Sequence, residues 1–536
     1  MRFFRLLYAC LAISSMTPWL CAREALPGVS DKWKRYESPN FELFSRAEDY
    51  ESRQLLWNLE LLRAFFLERV QQMERIPLPV TIYYFNNERD FLAYVPERMR
   101  SAKRTAGYYV AMPDRGIVVL SPSWNEDFSR RLIYHEYIHH LSHIVGDNSP
   151  PWFSEGIAEL FSTVTEASGE LKFGDPVVGH VLELREKKLI PLDQLFATDH
   201  SSSLYNESER AGMFYAESWV LLHYWYCGDL KLTPAQLKAT QKFFDYIRSE
   251  GEKGNSAERR ALFEQCLGMT YRQMTDEIER YVVNGGYRWY KTPCPKIAEK
   301  STYRMRSLTR DEVREQLEGL DLSVNRSAAS RLALLDLVGK NPKDYRALEI
   351  LGTDAQIDGY TEAARERWER ALAAGSTNPA VAQALAEIEH QAWLARFDLD
   401  FRLPNATAER IRGLLHRSIA CAPNQWRAYE ILAWVEATAD TPLALEISLV
   451  EQHAKTMADP DRTVLAMAVI RARLKDFATA KQLIGKLRRS PRNHVELLQE
   501  CDALSAYIAR HTDEEGDEAE PNPAGTDESN QSPTSK

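Results

Sequence analysis

Asp127-Phe-Ser-Arg-Arg-Leu-Ile-Tyr-His-Glu-Tyr-Ile-His-His-Leu-Ser-His-Ile-Val145, followed beyond Pro150-Pro151 by Trp152-Phe-Ser-Glu-Gly-Ile-Ala-Glu159, decides how this chain is read. The apolar residues recur at helical spacing. That predicts one helix from Phe128 to Val145, opened by Asp127 as N-cap and closed by Gly146, and a second from Trp152 to Val164. On the first helix His135 and His139 are four residues apart, so their imidazoles stand one turn above each other and can grip a single ion. Glu136 sits beside them, within reach of a water on that ion. A helix returning antiparallel across the short loop can bring Glu155 opposite the histidines. His135, His139 and Glu155 then form a three-ligand site with one position open, the arrangement of catalytic rather than structural zinc, and predict one Zn2+ per chain. The five-residue histidine pattern alone is short enough to arise by chance. Its place inside a helix, with a carboxylate on the next one, sets it against the plainer reading of two helix-face histidines and a surface acid.

Upstream of this stretch the pattern is mixed. Phe41 to Phe44 alternates like a strand, Tyr50 to Arg75 carries apolar residues at helical spacing (Leu55, Leu59, Leu62, Phe66, Val70), and Val80 to Phe85 reads as a strand. Gly107 to Val110 and Gly116 to Leu120 flank the turn-rich Met112-Pro-Asp-Arg115 and predict a β-hairpin. Downstream, Val177–Lys188, Gly212–Tyr226 and Thr233–Glu250 read as helices, and strand signals fade after about Tyr303. Tyr345 to Leu372 reads as a helix pair with small residues at Ala347, Gly352, Ala364 and Ala371, and so resembles a tetratricopeptide repeat, in which such residues let two helices pack closely. Pro423–Thr456 and Arg462–Arg489 repeat the theme more weakly.

Bulk properties narrow the classes. The chain has 536 residues, 44% hydrophobic and 27% charged, with a net charge of −10. Most of that charge sits between Asp513 and Lys536, where eight acids face one base, so the remainder is nearly balanced. No basic face points to nucleic acid. Residues 511–536 read as a disordered acidic tail. Residues 1–22 read as an export signal: Arg2 and Arg5, then an apolar run from Leu6 to Met16 too short to span a membrane. Export to the periplasm or the medium is the expected fate; lipid anchoring at Cys21 is disfavoured by the bulk of Leu20. If the signal is removed, Cys227, Cys266, Cys294, Cys421 and Cys501 remain, none in a CxxC pair. One or two disulfides are possible, most readily among Cys227, Cys266 and Cys294.

Here the stretch resembles a known group. His135-Glu136-Tyr137-Ile138-His139 with Glu155-Gly-Ile-Ala158 is similar to the gluzincin metallopeptidases, within them to the peptidase-MA-like family, related to aminopeptidase N and thermolysin. The metzincin pattern is not met, because Ser142 and Val145 stand where it needs glycine and histidine. The resemblance spans roughly Tyr36 to Tyr226, does not cover the repeats, and implies a thermolysin-like domain of mixed sheet and helical subdomain over residues 29–300; with the all-α repeat domain read from the helix pairs over residues 303–510, the expected fold class is α+β. It implies zinc-dependent peptide hydrolysis with Glu136 as general base and Tyr215, in Tyr215-Ala-Glu-Ser218, as the donor to the developing oxyanion. It also implies that an edge strand at Ile117, Val118 and Val119 pairs with substrate backbone. In aminopeptidases a glutamate near this strand holds the free α-amine; this chain has Pro113 there, with Asp114 as a partial substitute, which argues against ordinary aminopeptidase activity. Glu159 could hydrogen-bond a ligating histidine, whereas His140 and His143 are read as packing residues or as supports behind the ligands. The expected partners are a peptide or protein substrate and a protein bound by the helical repeats. The rival expectation is a catalytically vestigial domain serving a peptide-binding scaffold.

Overall fold

The expected hairpin forms, and it sits at one side of a six-stranded sheet. This is seen in a computed structural model that describes residues 26–70, 79–99, 106–123, 127–144, 149–199, 208–228, 230–250, 256–394, 399–423, 425–455, 460–489 and 495–517, with a few single residues between them. The export signal, Gly146 and most of the acidic tail lie outside the described residues.

The first layers are β1 (Lys34–Glu37), β2 (Phe41–Ser45), α1 (Asp49–Val70), β3 (Val80–Tyr84), α2 (Glu88–Tyr94), β4 (Gly107–Ala111), β5 (Gly116–Leu120) and α3 (Asp127–Ile144). The sheet order is β4-β5-β3-β2-β1-β9, with β9 at Arg304–Ser307. Pairing is parallel for β2–β3 and β3–β5 and antiparallel for β4–β5, β1–β2 and β1–β9.

Period-two alternation sends the two sets of β5 side chains to opposite faces. Val118 and Leu120 meet Leu55, Leu59, Ile133 and Tyr137 of α1 and α3. Ile117 and Val119 meet Phe91 and Tyr94 of α2 and Val313 and Leu317 of a later helix, α11 (Arg310–Asn325). Burial on both faces accounts for the unbroken apolar run of β5.

A helical lobe follows: α4 (Pro151–Ser162), α5 (Val178–Glu186), α6 (Leu192–Ala197), α7 (Ser208–Cys227), α8 (Pro234–Glu250), α9 (Ser256–Leu267) and α10 (Tyr271–Asn284). A small sheet of β6 (Thr165–Ala167), β7 (Glu170–Phe173) and β8 (Tyr290–Pro293) is attached to it. Local sequence sets the helix ends. Thr270 and Gln273 form a reciprocal capping box at the start of α10, and Gly285 closes it at φ 62°. The lobe's core gathers Trp152, Phe196, Phe214, Trp219, Phe243 and Phe263.

The remainder is helical: α12 (Ala328–Lys340), α13 (Tyr345–Ile357), α14 (Thr361–Ala373), α15 (Pro379–Leu394), α16 (Asn405–Cys421), α17 (Trp426–Thr438), α18 (Ala444–Ala454), α19 (Asp461–Arg473), α20 (Phe477–Leu487) and α21 (Val495–Asp517). At Gly352 a Cβ would stand 2.4 Å from the Trp368 indole nitrogen, so the α13–α14 approach requires glycine there.

Two expectations change. A strand does occur beyond Tyr303: β9 pairs with β1, and α11 covers the sheet, so the sheet-bearing unit runs to about residue 325 rather than ending at 300. Arg304-Met-Arg-Ser307 is wholly exposed and lacks apolar alternation, so its pairing is a matter of backbone alone. The five cysteines Cys227, Cys266, Cys294, Cys421 and Cys501 are all free thiols, so no disulfide forms among Cys227, Cys266 and Cys294. Among the described residues no helix is long and apolar enough to cross a membrane.

Candidate metal centre

α3 packs on the sheet through Ile133, Tyr134, Tyr137, Ile138 and Leu141. His135 and His139 lie on another face of the same helix, and α4 runs against it. His135 Nε2 and His139 Nε2 are 3.0 Å apart. Each lies 3.1 Å from Glu155 Oε2. The three side chains bring one ligand atom each within 4.8 Å of one another, the kind of cluster that can hold a metal ion.

α4 reaches this position because of its sequence. Pro150 and Pro151 start it without needing the missing amide donors. Trp152 is fully buried in the helical lobe, and Glu155 is only 3% exposed. Gly156 lies against α7, where a Cβ would stand 2.6 Å from the Ser218 carbonyl oxygen. The glycine after Glu155 is therefore what permits α4 to lie close enough to α7, and so fixes where Glu155 points.

The electrostatics suit a cation. Burial alone would raise the Glu155 carboxyl, but His135 and His139 hold it well below the ordinary carboxylate range. Burial alone would lower His135, but Glu155 and Glu159 outweigh it and push the imidazole well above its usual value. Glu155, buried, and Glu159, partly buried, thus create a place for positive charge, and a His2Glu donor set with nitrogen and oxygen atoms suits zinc.

Surrounding groups fall as follows. Ser154 Oγ lies 3.2 Å from His139 Nδ1. Glu159 Oε1 lies 3.4 Å from His135 Nδ1, and its other oxygen, Oε2, lies 3.1 Å from His180 Nε2. Glu159 thus stands within ion-pair distance of both imidazoles; His180 carries no pattern in the sequence, being a lone histidine on α5 beside the core-packed Val181 and Leu184. Glu136 follows His135 on α3, and its charge, after burial, helps to raise the Tyr109 phenol. Tyr109 is hydrogen-bonded to His140 Nδ1, and the His140 ring stacks on Tyr137 with centroids 5.9 Å apart, consistent with the packing role read for His140. The His143 side chain lies outside the described residues. Tyr215, half-buried on α7, has its ring centroid 6.2 Å from that of His135. Two residues on, Glu217 is 2% exposed and accepts a 2.6 Å hydrogen bond from the Ile190 amide. Burial pushes its carboxyl up to about 8.

The expected substrate strand is corrected. Ile117, Val118 and Val119 lie on β5, which is hydrogen-bonded to β4 on one side and β3 on the other, so their backbone has no open side. On this side of the sheet β4, not β5, is the edge among the described strands, β9 being the opposite edge. The error has a physical source: both hairpin strands are apolar, and which of them continues into the sheet depends on a pairing with distant β3. Asp114 is also otherwise engaged. It is 3% exposed and paired with Arg115, which in turn binds Glu349 of α13 at 2.7 Å.

No protein-family model matches this chain, and no curated protein shows significant similarity to it.

Proposed function

We propose that this chain is a zinc-dependent peptidase of gluzincin type, with His135, His139 and Glu155 holding the metal and Glu136 serving as general base. The observation that carries the reading is the convergence of three ligand atoms within 4.8 Å, beside a carboxylate on the same helical turn. A zinc ion bound there supplies Lewis-acid polarisation of a peptide carbonyl and makes a water molecule nucleophilic near neutral pH. Glu136 accepts the proton of that water and passes it to the leaving amine. Tyr215, across the site from His135, is the proposed donor to the developing oxyanion. Edge strand β4 replaces β5 as the proposed docking rail for an extended substrate. Because Pro113 stands where aminopeptidases carry the amine-binding glutamate and Asp114 is tied to Arg115, we favour an endopeptidase. The helical pairs beyond α11 are proposed as a tetratricopeptide-like array that recruits the substrate or a partner, in an exported protein.

Metal analysis and a diverse peptide library test this. The expected result is about one zinc per chain and chelator-sensitive cleavage, with Glu136→Gln retaining the metal but losing hydrolysis. Full zinc occupancy without any cleavage would transfer the assignment to the scaffold reading. Absence of zinc binding would remove the centre altogether.

A further inference from the structure

Glu159 has two carboxylate oxygens, and the fold gives each of them a different histidine. Oε1 lies 3.4 Å from Nδ1 of His135, and Oε2 lies 3.1 Å from Nε2 of His180. The side chains of His135, Glu159 and His180 keep only 10%, 16% and 15% of their exposure. His180 comes from α5, on which Val178 is 68% and Leu182 54% exposed while Leu184 is buried in the lobe core. In the first turn of that helix His180 and Val181 are half-buried, and the His180 ring stands 5.9 Å from that of Trp219, a fully buried residue of α7. α7 is the helix against which Gly156 brings α4. One rigid core therefore backs both Glu155 and the far end of the His180–Glu159–His135 chain.

We infer that His180 is a positioning residue for the metal centre, fixing the Glu159 carboxylate so that it orients the His135 imidazole with Nε2 toward the ion. The physical reason is directional. A ligating imidazole must present one nitrogen to the metal, and the hydrogen bond at its other nitrogen sets tautomer and ring angle. A carboxylate held at one oxygen alone can swing about its side-chain torsions. In a largely buried place its second oxygen would also be left without a partner, which is unfavourable. His180 removes both problems. This inference rests on the metal site proposed above, and its test separates the two.

Zinc affinity of the full chain is measured by competition with a chelator for wild type, His180→Ala, His180→Gln, Glu159→Gln and the double variant. His180→Ala is expected to weaken zinc about tenfold, the lower end for groups that orient a ligand. His180→Gln, which keeps an amide donor near the former Nε2, restores most of that loss. The double variant binds no more weakly than Glu159→Gln alone, because His180 acts through Glu159. Unchanged affinity in His180→Ala, or losses that simply add, overturns the inference while leaving the metal site intact. If the wild type binds no zinc, the proposed function fails instead. The inference is then decided in the metal-free protein by the ring 15N resonances of His135, which should shift in His180→Ala and return in His180→Gln. Resonances that do not move overturn it.

Discussion

The Cα of Gly156 approaches the Ser218 carbonyl so closely that a methyl group on it would stand 2.6 Å from that oxygen, and 2.8 Å from a Leu222 methyl. This contact joins α4, which carries Glu155, to α7, which carries Tyr215. The proposed metal ligand and the proposed oxyanion donor are therefore placed by one helix–helix approach.

Gly156→Ala tests that link. Overpacking of this kind costs about 1–3 kcal/mol, and α4 can relieve it only by moving Glu155 away from α7. The expected outcome is a lower unfolding midpoint together with weaker zinc binding. Gly179→Ala is the control, because a Cβ there meets nothing within 4 Å. It should leave both quantities unchanged or slightly improved. Equal effects at the two positions would show that the 156–218 approach has no special role.

Much of this geometry was legible in the sequence because it is local. His135 and His139 are related by a single helical turn, and Glu155 lies on the next helix beyond a short loop, so spacing alone brings them together. The hairpin was readable for the same reason. What depended on distant pairing was not readable. Nothing within Ile117–Leu120 says that Val80–Tyr84 will lie alongside it and close its free side. Nothing in Arg304–Ser307 says that it will extend the sheet at β1, since its side chains bury nothing. His180 belongs to the same class: it meets Glu159 only after α5 packs onto α7, which also holds α4.

A proton held at His135 would make the proposed zinc binding depend on pH. Burial lowers this imidazole, but Glu155 and Glu159 more than reverse that and raise it well above its usual value. In metal-free protein this contribution to stability is full below about pH 6.5, the unfolded value, and is lost as pH rises through the raised folded value. Zinc must displace that proton. Zinc affinity should therefore fall as pH drops below the raised value, with a slope approaching tenfold per unit from this one proton. Chelator competition between pH 6 and 8.5 reads the slope; a flat profile would mean that His135 carries no proton in the metal-free protein.

Glu217 predicts the opposite kind of stabilising substitution. Its carboxyl, ordinarily near 4.5, is pushed up to about 8 by burial, although the Ile190 amide works against that shift. The folded chain thus holds a proton that the unfolded chain has released, and stability declines as pH rises between these two values and then levels off. Glu217→Gln keeps an oxygen to accept the Ile190 amide and has no charge to bury. Its advantage over wild type should be small at pH 5 and grow to a few kcal/mol by pH 8, at about 1.4 kcal/mol per unit. Urea unfolding at both pH values measures it, and an advantage that does not change with pH would contradict the raised carboxyl.

Arg115 and Glu349 provide the last prediction, because they join the hairpin to the helical half. The guanidinium is 2.7 Å from both Asp114 and Glu349, and the Asn378 amide donates to the Asp114 carbonyl at 3.2 Å. Burial lowers the guanidinium pKa, but the two carboxylates outweigh it, so Arg115 stays charged. Removing it strands two buried acids, which costs about 3–5 kcal/mol. Removing Glu349 strands less, since Asp114 still pairs with Arg115. The double variant Arg115→Ala/Glu349→Ala should therefore be less destabilised than the two single losses added together, with a coupling of about 0.5–3 kcal/mol. Arg115 also terminates the turn that follows β4, so its loss should slacken the proposed substrate strand and lower kcat/KM for long peptides, while zinc occupancy stays full. Additive stability losses would show that α13 does not hold the hairpin through this pair; unchanged kcat/KM with full coupling would show that the clamp fixes the two halves together without shaping β4.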